Sequence, residues 1–144
     1  MKISQIIDSW KTDTKIDDLN IDLESARTIS LHGKYMEWLS DARGTLRGLR
    51  IHRKHLWRKL YDYYRGASTE DDLLELGKEQ NPRHILKTEA TGFIEADQLM
   101  IDLDSKIAVQ EEKVDILAEI IKSVNSRNYA LKNIIDWRRM SLGG

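Results

Sequence analysis

Apolar residues recur along most of the chain with the period of a helix, and long stretches show none of the alternation of a half-buried strand. From about Asp22 to Tyr64, Leu39, Ala42, Leu46, Leu49, Leu56, Leu60 and Tyr63 fall on one heptad seam that is broken only at Arg53. A second, cleaner seam runs from about Ile94 through Ala96, Met100, Leu103, Ile107, Gln110, Val114, Leu117, Ile121 and Val124. Between them, Gly66 suits the left-handed residue that closes a helix, and Ser68 or Thr69 can cap a short acidic helix ending at Leu76. Gly77 to Gly92, with the only proline at Pro82, reads as a connector. Asn125, Ser126 and Asn128 favour caps and turns over helix interiors, so a separate amphipathic helix is expected from about Ser126 to Met140. These elements predict an all-α fold: a long antiparallel helical hairpin with a carboxy-terminal oligomerisation helix. Leu131, Ile134, Ile135 and Trp137 form the apolar face of that last helix, and a two-helix hairpin leaves this face without an obvious internal partner. It is the candidate for subunit contact, against the alternative of packing inside one protomer.

At 144 residues the chain amounts to about one ordinary domain. Residues 1–92 are expected to hold the binding half with its connector, and residues 93–144 the coiled-coil and self-association half, within one continuous structural domain. A net charge of −1 argues against coating nucleic acid by bulk charge. The distribution changes that picture, because Arg43, Arg47, Arg50, Arg53, Lys54, Arg58, Lys59 and Arg65 face a single acid, Asp62, for a local charge of +7. At the helical turn per residue, Arg43, Arg47, Arg50, Lys54, Arg58 and Arg65 lie within an arc of roughly 80°, away from the leucine seam. Tyr61 lies on this rail and Trp57 at its edge. Cations interleaved with aromatic faces are what a single-stranded nucleic acid needs: phosphates release counterions, and exposed bases stack. The competing reading is a solvated face paired with acids of the second helix, such as Glu112 and Glu119, with Trp57 and Tyr61 partly in the core.

Catalytic and metal constellations are missing. His52 and His55 sit three apart within the basic run, which repels a cation, and no third ligand accompanies them. Glu111, Glu112, Asp115 and Glu119 lack the Glu-x-x-His spacing of a helical di-metal site and read as a solvated face. Gly44 and Gly48 lie inside a helical pattern with no preceding strand and no Gly-Lys-Ser/Thr, so no phosphate-cradling loop is expected. No enzyme, cofactor or metal is anticipated. With no cysteine and no uninterrupted apolar stretch in MKISQIIDSWKTDTK, neither a disulfide framework, a signal peptide nor a membrane span is expected, which places the protein in the cytoplasm.

The segment HRKHLWRKLYDYYRG, residues 52–66, together with its flanks resembles the UvsY family of single-strand-DNA recombination mediators of large tailed phages. Ile16-Asp17, Glu24-Ser25-Ala26 and Lys34 to Leu39 resemble the family's beginning. The Asp62-Tyr63-Tyr64-x-Gly66 ending is the most specific piece. Leu86-Lys87-Thr88 and Ile120 to Ile134 resemble its carboxy-terminal half, associated with self-assembly. The family's basic DNA-binding element is a Lys-x-Arg-Leu run before the Asp-Tyr-Tyr. Here the corresponding positions hold Arg58, Lys59, Leu60 and Tyr61, so the second cation is displaced. The resemblance implies a protein that loads a RecA-like recombinase onto single strands covered by single-strand-binding protein, in recombination-dependent replication and repair. It also implies a homo-oligomeric ring, a hexamer or heptamer, in the cytoplasm of an infected bacterial host. Arg43, Arg47, Arg50, Lys54, Trp57, Arg58, Lys59, Tyr61 and Arg65 are then the DNA-binding candidates. The alternative is a helical oligomeric scaffold whose basic face binds an acidic protein, with no nucleic acid.

Overall fold

The computed structural model describes residues 1–143, and these form five helices and no strands. In chain order they are α1 (Ile3–Asp13), α2 (Ile21–Tyr64), α3 (Glu70–Leu76), α4 (Lys87–Ala96) and α5 (Gln98–Ser141). The two long helices are the two heptad seams. Their halves pair first with last and last with first, as an antiparallel hairpin requires, and the chain divides into two compact units along those pairings.

The first unit comprises Met1–Arg43 and the chain from Glu112 onward. Leu31, Tyr35, Leu39 and Ala42 of α2 pack with Leu117, Ile120 and Val124 of α5 and with Ile6 of α1. α1 was not among the expected elements, although Ile3, Ile6, Ile7 and Trp10 have helical spacing. Tyr35 is fully buried, with Trp10 and Trp38 both edge-on to its ring at centroid distances of 5.5 and 5.2 Å. Its hydroxyl donates to Asp13 Oδ2 at 2.7 Å. Burial, together with the hydrogen bond and charge of Asp13, pushes the phenol up to about 12.

The most buried charged residue of this unit is Arg127. Its guanidinium has five N–H donors, and the structure gives it five acceptors: Thr28 Oγ1 at 3.1 Å, the Glu24 carboxylate, and the carbonyls of Asp13, Thr14 and Lys15 at 3.0, 3.1 and 3.4 Å. Those carbonyls end α1, where backbone acceptors lack helical partners and a cation is favoured. This anchoring corrects the expectation of a restart near Ser126. α5 runs unbroken from Gln98 to Ser141, and the Ser126 hydroxyl folds back to the Lys122 carbonyl at 3.1 Å.

The second unit is Gly44–Glu111. Leu60, Leu76, Ile94 and Met100 form its core, bordered by Leu56, Trp57, Tyr61, Tyr63, Tyr64 and Leu99. The break at Arg53 is satisfied across the hairpin, where the guanidinium holds Asp104 through Nε at 2.6 Å and Nη2 at 3.4 Å. Gly66, at φ 74°, closes α2: its N–H bonds to the Tyr63 carbonyl and that of Ala67 to the Asp62 carbonyl, the paired bonds of a Schellman turn. Thr69 caps α3 as expected, its hydroxyl accepting from the Asp72 N–H. Two boundaries differ from expectation. The connector already contains the start of α4 at Lys87, and the second long helix begins at Gln98, not Ile94. The chain turns extended at Asp97, whose carboxylate caps α5 through the Leu99 N–H at 3.0 Å.

Candidate nucleic-acid interface

The basic run lies on α2, and the geometry sorts its cations into committed and uncommitted groups. In the second unit, Arg50 pairs with Glu111 at 3.0 Å, Arg53 with Asp104, and Lys59 with Glu75. The hydrogen bond to Glu75 and its charge hold the Lys59 ammonium above its ordinary value. Arg65 donates to the Ile85 carbonyl at 2.8 Å, next to the bond from the Ile85 N–H to the Tyr64 carbonyl, and so ties the 77–86 loop to the end of α2. Arg47, Lys54 and Arg58 are exposed and have no ion pair or side-chain hydrogen bond among the described residues. Their spacing of seven and then four keeps them on one helix face. Arg43, in the first unit, is likewise exposed and without an ion pair.

The aromatic members are half-buried. Trp57 and Tyr61 stack on one another, centroids 5.3 Å apart and planes 13° from parallel, with their other sides against the Leu60 core. The expected interleaving is present, but part of each ring is taken by packing. Acids of the second helix do answer some cations, though through Glu111 and Asp104 instead of Glu112, while Glu119 pairs with Lys122.

Behind this face lies a cluster that sequence reasoning missed. The Asp97 carboxylate is 95% buried and accepts from the Tyr64 hydroxyl at 2.6 Å, Lys78 Nζ at 3.0 Å and the Leu99 N–H. Burial alone raises a carboxyl, but these hydrogen bonds and the Lys78 charge outweigh it and hold Asp97 below its ordinary value. Lys78 also covers the Tyr63 ring at 4.9 Å. The Asp62-Tyr63-Tyr64-x-Gly66 motif is therefore a structural joint: it stops α2, and Tyr64 fastens that end to the cap of α5.

Of the expected subunit-contact residues, Leu131 is only 2% exposed within a single chain and is already covered. Ile134 is half-buried, whereas Ile135 at 37% and Trp137 at 70% remain open to solvent, followed by Met140 and Leu142. Among the described residues no group of three metal-ligating side chains occurs, and no helix is long and apolar enough to cross a membrane.

Comparison with known proteins bears on this arrangement directly. Residues 9–144 match the family model described as "Recombination, repair and ssDNA binding protein UvsY". The chain belongs to the UvsY family. The recombination protein uvsY of Enterobacteria phage T4 is 22% identical over 143 residues, covering 99% of both chains. Two crystal structures of the bacteriophage T4 recombination mediator protein UvsY share the fold. Lattice type II superposes with a TM-score of 0.84 over 99% of this chain and 98% of that one, and lattice type IV with 0.86 over 97% and 99%, both at 21% identity. The match takes in α2 with its basic face, the Tyr64–Asp97 joint and the carboxy-terminal turns of α5, so this UvsY-family chain has the recombination-mediator fold over nearly its full length.

Proposed function

We propose that this protein binds single-stranded DNA along the exposed basic face of α2 and, as a homo-oligomeric ring, loads a RecA-like recombinase onto strands covered by single-strand-binding protein. The observation that supports it is the pattern of pairing. In a chain of net charge −1, Arg47, Lys54 and Arg58 share one helix face, are exposed, and have no carboxylate partner among the described residues, whereas Arg50, Arg53 and Lys59 have one. Uncommitted cations in register exchange counterions for phosphates at little internal cost. Trp57 and Tyr61 offer their outer edges to bases beside them, a contact that duplex DNA, with its bases stacked inside, does not provide.

A few cations per protomer bind weakly, and closure into a ring raises the effective concentration of each later contact. A strand held on such a ring is altered in shape, which loosens the covering protein and presents a form the recombinase accepts. No covalent chemistry is involved, and the protein acts in the cytoplasm of the infected host. Assembly uses the solvent-exposed apolar turns of α5 around Ile135 and Trp137, with Ile134 at their edge.

Fluorescence anisotropy with labelled single-stranded and duplex oligonucleotides across a salt series tests the binding step. With three or four uncommitted cations, the single-strand slope of log K against log salt is about −2 to −3 per protomer engaged. Lys54→Ala with Arg58→Ala should flatten it by about 1.4 and weaken binding about 25-fold near 0.1 M salt. Equal affinity for duplex, or a slope unmoved by the double substitution, refutes the reading.

A further inference from the structure

The aromatic side chains of the second unit form a row that runs off the end of α2 onto α4. Trp57 stacks on Tyr61, and Tyr64, one turn further on, meets the Phe93 ring at a centroid distance of 5.6 Å and a tilt of 40°. Trp57, Tyr61, Tyr63 and Tyr64 are half-buried, whereas Phe93 is 47% exposed. Phenylalanine has no polar group to present to water, so leaving half of it in solvent forgoes burial that the other rings of the row obtain. One side of Phe93 rests on Tyr64, and the rest of the ring is open. Trp57 and Tyr61, turned toward one another, leave only their edges; Phe93 offers part of a face.

Uncommitted cations lie at the same corner. Arg65, a heptad after Arg58 and on the same side of α2, donates to the Ile85 carbonyl, and the Ile85 N–H donates to the Tyr64 carbonyl. These two bonds hold residues 83–87 at the point where the basic face of α2 ends. Arg83 and Lys87 are exposed, and their side chains have no ion pair or hydrogen bond among the described residues. No acid occurs from Gln80 to Thr88. Glu89, exposed one turn before Phe93, is the acid on the side of the ring. Its charge repels phosphate and favours the Arg83 and Lys87 side for a strand's backbone, so the part of a strand suited to the ring is a base.

We propose that a single strand bound along α2 continues past Arg65 onto this corner, with phosphates at Arg83 and Lys87 and a base stacked on Phe93. The inference rests on the single-strand reading of the basic face and adds a second element to it. The cations of α2 hold the backbone, and Phe93 holds a base, which duplex DNA keeps inside its own stack.

Photocrosslinking tests the contact on the parent chain. Single strands carrying iododeoxyuridine join, on irradiation, to an aromatic ring stacked on that base, and mass spectrometry of the digest identifies the ring. A link at Phe93 is expected. Its absence overturns the inference, and links confined to Trp57 and Tyr61 then leave binding along α2 intact. Anisotropy supplies the second measurement with Phe93→Leu, which keeps an apolar side chain against Tyr64. At an unchanged urea midpoint this variant should bind single strands about fivefold or more weakly with the salt slope unmoved. Arg83→Ala with Lys87→Ala should instead flatten the slope by about 1.4. An abasic strand of equal length separates stacking from a change of shape, because it should bind the parent and Phe93→Leu equally. A leucine variant that binds the ordinary strand as the parent does, or that loses the abasic strand to the same extent, refutes stacking on Phe93. A parent chain that binds neither strand overturns the single-strand reading itself.

Discussion

The Tyr64 hydroxyl donates to the buried Asp97 carboxylate at 2.6 Å, so the last residue of α2 is bonded to the residue that caps the start of α5. This one contact sets where the cation-bearing helix ends relative to the second helix of its unit. Tyr64→Phe leaves Asp97 with Lys78 and the Leu99 N–H but removes its shortest bond, and should cost about 1–3 kcal/mol in urea unfolding. The sign of the pH dependence follows from the lowered Asp97 carboxyl. A carboxyl held below its unfolded value contributes stability that is complete above about pH 4 and is lost as pH falls through the folded value. Asp97→Asn should therefore be less stable than the parent at pH 7, with the gap closing on acidification. A gap that widens toward acid contradicts this.

Arg127 should be the most sensitive polar position in the first unit. Arg127→Met leaves the buried Glu24 carboxylate with Arg27, at 3.2 Å, as its only partner among the described residues and uncaps the end of α1, so a loss of at least about 1–3 kcal/mol is expected. Arg127→Lys keeps the charge but cannot fill five acceptors, and should fall between parent and Met variant. Thermal unfolding followed by circular dichroism ranks the three.

How far the chain was legible follows from the range of each signal. The two long helices were readable because a heptad seam repeats locally, and the Schellman stop at Gly66 and the Thr69 cap because they depend on a few adjacent residues. Arg127 was not, since its partner Thr28 is 99 positions away and nothing in the α5 pattern distinguishes a buried arginine from a solvated one. The start of α5 was misplaced for the same reason. Ile94, Ala96 and Met100 keep a helical rhythm across Asp97, and only Tyr64 and Lys78, brought in by folding, hold that residue as a cap. The basic face was found by periodicity, but which cations stay uncommitted depends on acids across the hairpin and on α3.

That division predicts different failures for neighbouring cations. Lys54→Ala or Arg58→Ala should each weaken single-strand binding about fivefold near 0.1 M salt and flatten the salt slope by about 0.7, with unfolding unchanged. Arg53→Ala should instead lower stability, because it leaves Asp104 without its bidentate partner. Lys59→Ala should affect binding less than Arg58→Ala, its ammonium being held by Glu75. Anisotropy and urea unfolding on the same four variants separate these outcomes.

The cost of a side chain at Gly66 splits into two physical parts. At φ 74° an added Cβ is strained whatever the space around it, by about 1–2 kcal/mol. The same Cβ would also lie 2.8 Å from His84 Nε2, which no real Cβ tolerates, so the imidazole must move. The 77–86 loop carrying His84 is tied to this turn by Gln80 to the Gly66 carbonyl and by Arg65 to Ile85, so that movement is resisted. Gly66→Ala should thus lose more than the backbone strain alone. Adding His84→Ala to Gly66→Ala removes the clash but leaves φ unchanged, and should restore only the excess over about 1–2 kcal/mol. If the double variant regains full stability, the left-handed turn is not the constraint that fixes glycine here; if it regains none, the loop yields to the added methyl without cost.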